Sequence, residues 1–293
     1  MEPENASSFF QDDWWQQPNV VSILYQQYKT HILGLLLSGF SGTSDYEFYT
    51  GFLFRHRDHL FWMTAGHIID NIEFILSNKS EKLIMRWFDG YPNENAGAIP
   101  INITSMKMKS WNKQNLDAGV IKIGYLEEQN LLVNNSITPL DDRIYLHNET
   151  AKPDGYFLIG FPRKYNQYDE KPFRNNKTKK SLRSDYACIP VQEIPIPTED
   201  PNLDFFDKPD AFYGQLLDEQ LDPLNYLDSI DYMSGSPIFS IERTNEGKFL
   251  YRLFGIQRKW LPESRRICAE PINEIVYELD LWIDENLINE QLY

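Results

Sequence analysis

Asp231-Tyr232-Met233-Ser234-Gly235-Ser236-Pro237, followed by the apolar pair Ile238-Phe239, decides how the rest of this chain is read. A serine in a tight Gly/Ser turn that opens into a buried-looking strand offers one hydroxyl to a substrate, while the strand fixes its backbone from behind. Taken alone, such a turn is more often the entry to an ordinary hairpin. Two stretches upstream change its weight. Phe61-Trp62-Met63-Thr64-Ala65-Gly66-His67 runs an apolar strand into a small-residue turn that ends on a histidine. Asn115-Leu116-Asp117-Ala118-Gly119-Val120-Ile121 sets an aspartate just before another strand. A hydroxyl nucleophile needs a base to take its proton, and that base needs a carboxylate to fix its tautomer and stabilise the imidazolium. The candidate catalytic set is therefore His67, Asp117 and Ser234.

The order of the three along the chain separates the convergent triads. Hydrolases with a nucleophile elbow run Ser, acid, His, and subtilisin-type enzymes run Asp, His, Ser; only the chymotrypsin order fits here. On these residues the chain resembles the chymotrypsin/trypsin-like serine peptidases, and more closely their bacterial members of the Deg (high-temperature-requirement) kind. Thr64-Ala65-Gly66-His67 is similar to the family's Thr-Ala-Ala-His, and Asp117-Ala118 to its Asp-Leu-Ala or Asp-Ile-Ala. Ser234-Gly235-Ser236-Pro237 is similar to its Ser-Gly-Gly-Pro, and Leu253-Phe254-Gly255-Ile256 to the strand that follows the nucleophile. The resemblance covers residues 32–290 and is specific at the three motifs.

It implies an all-β fold of two six-stranded antiparallel β-barrels with the site between them. The expected division is an N-terminal extension with a short helix (1–31), a first barrel carrying His67 and Asp117 (32–135), a second carrying Ser234 (136–270), and a C-terminal helix (271–293). It also implies peptide hydrolysis through an acyl-enzyme, with the backbone N–H groups of Tyr232 and Ser234 as the oxyanion hole. Two residues depart from the family. Tyr232 stands where glycine is nearly always found, in a turn whose backbone is costly for a residue with a Cβ, which predicts a misformed oxyanion hole in the resting state. Met233 replaces the aspartate that pairs with a cleaved N-terminus in secreted enzymes, so activation by that route is not expected. The substrate-binding set implied by position is Asp228, Gln257, Arg258 and Lys259. A carboxylate at Asp228, six residues before Ser234, would sit at the floor of the primary pocket and favour Lys or Arg. Arg258 and Lys259 would neutralise it or attract acids instead, and a surface position for Asp228 stays open.

Composition sets the remaining bounds. The 293 residues are 42% apolar and 14% aromatic, which is ample for a core. A net charge of -15 supplies no cationic surplus to displace counterions, which argues against nucleic acid or an anionic membrane as main partner. No run approaches the roughly 18 apolar residues of a membrane span, and the acidic start is not followed by a secretory pattern. Cys188 and Cys268 have neither metal spacing nor the look of a disulfide framework, so a cytoplasmic protein with reduced thiols is expected. Neither a metal nor a cofactor motif is present. The expected partners are a protein or peptide substrate and a regulatory protein, with the aromatic stretch around Phe9, Phe10, Trp14 and Trp15 as its dock. The competing class is a dormant or partner-activated binding module on a peptidase fold.

Periodicity places the elements. Val21, Leu24, Tyr25 and Tyr28 after Pro18 predict a short helix, and Ile32 to Leu37 a strand. Tyr46 to Phe54 and Leu60 to Met63 read as a hairpin across the charged tip Arg55 to His59, whose two histidines read as solvated surface. Further strands are expected at 83–88, 99–103, 119–123, 144–146, 156–162, 187–194, 237–240 and 250–257. Lys164 to Leu182, basic, and Thr198 to Asp210, acidic with prolines, read as surface loops. Beyond Pro271, Ile272, Ile275, Val276, Leu279, Trp282, Ile283 and Leu287 have helical spacing.

Overall fold

The computed structural model describes residues 28–38, 46–78, 83–88, 99–103, 106–134, 137–144, 153–163, 167–173, 177–183, 186–196, 204, 206–217, 227–243 and 249–291. The helix expected after Pro18 and the aromatic dock lie outside these residues, apart from Tyr28.

The first β unit grows from its hairpin. Strand β2 (Tyr46–His56) and β3 (His59–Thr64) meet at Arg57 and Asp58, whose φ angles of 47° and 64° give the two-residue turn that matches strand twist. Strand β1 (Ile32–Ser38) pairs with β2, β4 (Ile84–Phe88) with β1, and β5 (Ile99–Pro100) with β4, all antiparallel. On the other side β7 (Gly119–Lys122) pairs with β3, and β6 (Lys107–Ser110) with β7. A two-residue strand β8 (Leu140–Asp141) runs parallel to β2. The order is β5-β4-β1-β2-β3-β7-β6, an eight-stranded sheet with β8 included, and among the described residues β5 and β6 do not join. The expected six-stranded first barrel is corrected accordingly. Strand β5 is two residues long and ends on Pro100, which has no N–H to donate, so its ladder is too short to close the sheet.

The second unit does close. Strands β9 (Gly155–Gly160), β12 (Ala187–Glu193), β13 (Phe212–Leu216), β14 (Pro237–Arg243), β15 (Phe249–Leu261) and β16 (Arg266–Pro271) form a barrel in the order β12-β13-β16-β15-β14-β9. Its pairings are all antiparallel. The basic stretch read as a loop is instead a ribbon of β10 (Gln167–Phe173) and β11 (Lys177–Arg183), inserted between β9 and β12.

Three helices complete the fold among the described residues. Helix α1 (Gly66–Asn78) starts at the residue before His67 and buries Ile68, Ile69, Ile72 and Ile75 against the first sheet. A single turn, α2 (Tyr125–Gln129), follows β7. Helix α3 (Ile272–Gln291) buries Ile272, Ile275, Val276, Leu279 and Ile283, the stripe that its spacing predicts. The two units share one core: Phe48, Phe52 and Phe54 of β2 cluster with Phe157, Phe161 and Phe239 of the second unit. Tyr28, just before β1, stacks on Phe239 at 4.9 Å and packs on Phe157 at 5.2 Å. Aromatic pairs of this kind contribute about 0.5–1.5 kcal/mol each beyond their buried area, so the units are welded and do not merely touch.

Candidate active site

Helix α1 presents His67 at its first turn, where the chain leaves β3 through Ala65 and Gly66. A Cβ on Gly66 would run into the Ala118 backbone, and this close approach brings the Asp117 loop over the helix start. Asp117 then meets both the ring and the backbone of His67, with Nδ1 also 3.1 Å from Oδ1. Its Oδ2 lies 2.9 Å from His67 Nδ1, and its Oδ1 accepts the His67 backbone N–H at 2.8 Å. The carboxylate is 12% exposed and the imidazole 45%, so one face of the ring is held and the other is open. Burial alone would raise the Asp117 carboxyl. The imidazole and backbone N–H of His67, with the Arg258 charge behind, outweigh this and hold it below the usual carboxylate range. Asp117 therefore stays ionised, fixing the proton of His67 on Nδ1 and leaving Nε2 as the free base.

The serine turn is seated against the same strand end. Thr50 Oγ1 of β2 donates to the Tyr232 carbonyl at 2.7 Å. Gly235, at φ 89°, packs so closely on Thr64 Oγ1 and the Thr50 carbonyl that no Cβ would fit there. Thr64 is three residues before His67, so the first unit grips the turn beside its own histidine. Ser234 is half-buried, and its Oγ has no hydrogen-bond partner among the described residues.

The backbone donors of the turn are unequal. Asp231 N–H goes to Ser229 Oγ, Met233 N–H to the Ile230 carbonyl, Gly235 N–H to the Gln257 carbonyl and Ser236 N–H to the Met233 carbonyl. The N–H groups of Tyr232 and Ser234 have no acceptor among the described residues. Two such donors flanking Met233, beside a free hydroxyl, can receive a negatively charged oxygen. Tyr232 has φ 75°, the left-handed conformation that glycine would supply. Tyrosine takes this conformation here, held by Thr50 at its carbonyl and by Arg163, whose guanidinium lies 5.4 Å from the ring centre. The Arg163 N–H also donates to the Asp231 carbonyl at 2.8 Å.

The expected substrate-binding set is not brought together. Asp228 is exposed at the surface and not enclosed at a pocket floor. Gln257 is buried, and its amide donates to the Lys259 carbonyl at 3.0 Å. Arg258 is buried and pairs with Asp207 and Glu270; Lys259 also pairs with Asp207. Neither cation reaches toward Asp228 or stands free for an acidic substrate, because nearer carboxylates on the β12–β13 connection and on β16 take both. His56, read as solvated, is 5% exposed and its Nε2 lies 2.9 Å from Asp280 of α3. Glu270, fully buried, accepts the Asp117 backbone N–H at 3.2 Å and was not anticipated. A lone acid set between the apolar run Ile267-Cys268-Ala269 and Pro271-Ile272 is its one signal in the sequence.

Comparison with known proteins gives neither a matching family model nor a matching curated protein. Among solved structures, the Rv3671c protease from M. tuberculosis in its active form is similar at 12% identity, with a TM-score of 0.43, over 89% of this chain and 83% of that one. Deg5 is similar at 11% identity and a TM-score of 0.43, over 87% of this chain and 90% of that one. The catalytically inactive tobacco etch virus protease complexed with substrate is similar at 12% identity and a TM-score of 0.38, over 83% and 80%. In this chain a β unit carrying His67 and Asp117 is joined through a common core to a closed six-stranded barrel carrying Ser234.

Proposed function

We propose that this chain is a serine endopeptidase in which His67 is the general base, Asp117 its orienting carboxylate and Ser234 the nucleophile. The pair of unengaged N–H groups at Tyr232 and Ser234, beside the Ser234 hydroxyl, carries the reading. As the Ser234 Oγ–carbon bond forms, the hydroxyl proton passes to His67 Nε2 and the carbonyl oxygen takes the negative charge toward the two N–H groups. Collapse breaks the peptide C–N bond, with the proton on Nε2 going to the leaving amine. Water then repeats the cycle on the ester and returns Ser234. The cysteines support no thiol version, since Cys188 and Cys268 lie in barrel strands and burial raises both thiols, Cys188 to about 12.

The test is labelling with a fluorophosphonate probe together with peptide hydrolysis. Wild type should be labelled at Ser234, and Ser234→Ala and His67→Ala should each lose at least ~10³-fold in kcat, because the groups act as a unit. Absence of labelling in a folded wild-type chain would reverse the reading and favour a binding module on the same scaffold.

A further inference from the structure

Beneath the His67–Asp117 pair lies a group of charges that peptide hydrolysis itself does not call on. Glu270, on β16, is fully buried. Its Oε1 accepts the Asp117 N–H at 3.2 Å and lies 3.3 Å from Arg258 Nε, and its Oε2 accepts Lys208 Nζ at 2.6 Å. Lys208 also reaches Glu274 of α3 at 2.8 Å, and Asp207 pairs with both Arg258 and Lys259. Three carboxylates (Asp207, Glu270, Glu274) thus balance three cations (Lys208, Arg258, Lys259). All six belong to the second unit or to α3, whereas Asp117 belongs to the first.

Such a cluster is a poor way to stabilise a fold. Desolvating a carboxylate costs several kcal/mol, and apolar residues of equal volume often serve stability as well or better. What distinguishes Glu270 is its address, one hydrogen bond from the residue that orients His67. We propose that Glu270 is a positioning residue that holds Asp117 from across the unit boundary, and that the neutrality of its cluster sets the basicity of His67. This rests on the reading of His67 as general base. A surplus of positive charge beneath Asp117 would disfavour the imidazolium, and a surplus of negative charge would favour it. The Arg258 charge already reaches Asp117, where it helps hold the carboxyl below its usual range. Other ionisable groups on α1, on β2 and at the serine turn are Asp70, held by Asn112 Nδ2 at 2.8 Å, Tyr49, which accepts from Asn71 of α1 at 2.6 Å, Asp231, and Arg163 over the Tyr232 ring. These stay constant in the experiment.

The full chain, labelled at histidine with ¹⁵N, is titrated by NMR, with the His67 signal assigned by its absence in His67→Ala. Lys208→Gln leaves the cluster one charge negative and should raise the His67 pKa by about half a unit or more; Glu270→Gln leaves it one charge positive and should lower it similarly. The double variant restores neutrality and should return close to wild type. In kinetics, Glu270→Gln should lower kcat on the order of tenfold with little change in KM, through displacement of the dyad, and shift the acid limb of kcat/KM to lower pH. An unchanged His67 pKa in Lys208→Gln, or a downward shift, overturns the proposal, whatever happens to melting temperature. Lys208 keeps 12% of its side chain in solvent and Glu270 keeps none, and glutamine retains an amide donor for Glu270, so this variant decides the matter even where Glu270→Gln does not fold. A chain without peptidase activity would sink the catalytic reading and leave the NMR result standing.

Discussion

At the scale of single residues, Tyr232 carries the sharpest consequence. A left-handed φ costs a residue with a Cβ about 1–2 kcal/mol, and here Thr50 and Arg163 offset that cost. Tyr232→Gly should therefore leave kcat within about threefold of wild type, since the donor geometry is already formed. Tyr232→Val should lose ~10²-fold in kcat, because a β-branched side chain resists the left-handed region and takes one oxyanion donor away. Steady-state kinetics on one peptide substrate, with melting curves as control, checks both. Asp228 yields the opposite expectation. An exposed carboxylate is screened by water, so Asp228→Asn should change the preference for Lys over Gln at the scissile position by less than about fivefold in kcat/KM. A loss of a hundredfold would restore Asp228 to the pocket floor.

At the scale of elements, the strands and the final helix were readable because their signals are local. The hairpin of β2 and β3, the apolar run of β9 and the stripe of α3 each state their own period. Helix α1 is masked in the sequence although Ile68, Ile69, Ile72 and Ile75 have its spacing, because its first turn overlaps the small-residue motif Thr64 to His67, which has the composition of a turn. Strands β6 and β13 were missed because Lys107-Met108-Lys109-Ser110 and Phe212-Tyr213-Gly214-Gln215-Leu216 carry too few contrasts to show a period of two. The pairing of His67 with Asp117 was legible because both residues sit in short motifs. The partners of Arg258, Lys259 and His56 were not, because pairing across distant segments leaves no trace in spacing. The last of these predicts stability. Asp280 accepts from buried His56 and from Arg57, tying the hairpin tip to α3. Asp280→Ala should cost about 1–2 kcal/mol in denaturant unfolding, mainly through loss of the acceptor for buried His56.

At the scale of the whole molecule, acid should act first on the contacts that join segments. Burial works to raise Asp117, Asp207 and Asp280, but their cationic or imidazole partners prevail and hold each carboxyl below its ordinary value. A carboxyl depressed in the folded state contributes stability above the unfolded pKa of about 4, and that contribution is lost as pH falls through the folded value. Buried His31, held below its ordinary value by desolvation, costs stability once pH falls below about 6.5, so melting temperature should decline gently from there and fall steeply below about 4. Asp280→Asn should blunt that fall, which thermal scans across the range would show.

The hydrogen bond from Thr50 to the Tyr232 carbonyl ties the serine turn of one unit to a strand of the other. The geometry of the proposed site is therefore a property of the seam, assembled from both sides and complete in neither. Anything that loosens the seam by an ångström or so disarms the serine while both β units keep their ladders. In a urea titration, hydrolytic activity should fade at a lower concentration than the far-ultraviolet dichroism, and a tight covalent or transition-state inhibitor bridging the cleft should draw the two curves together.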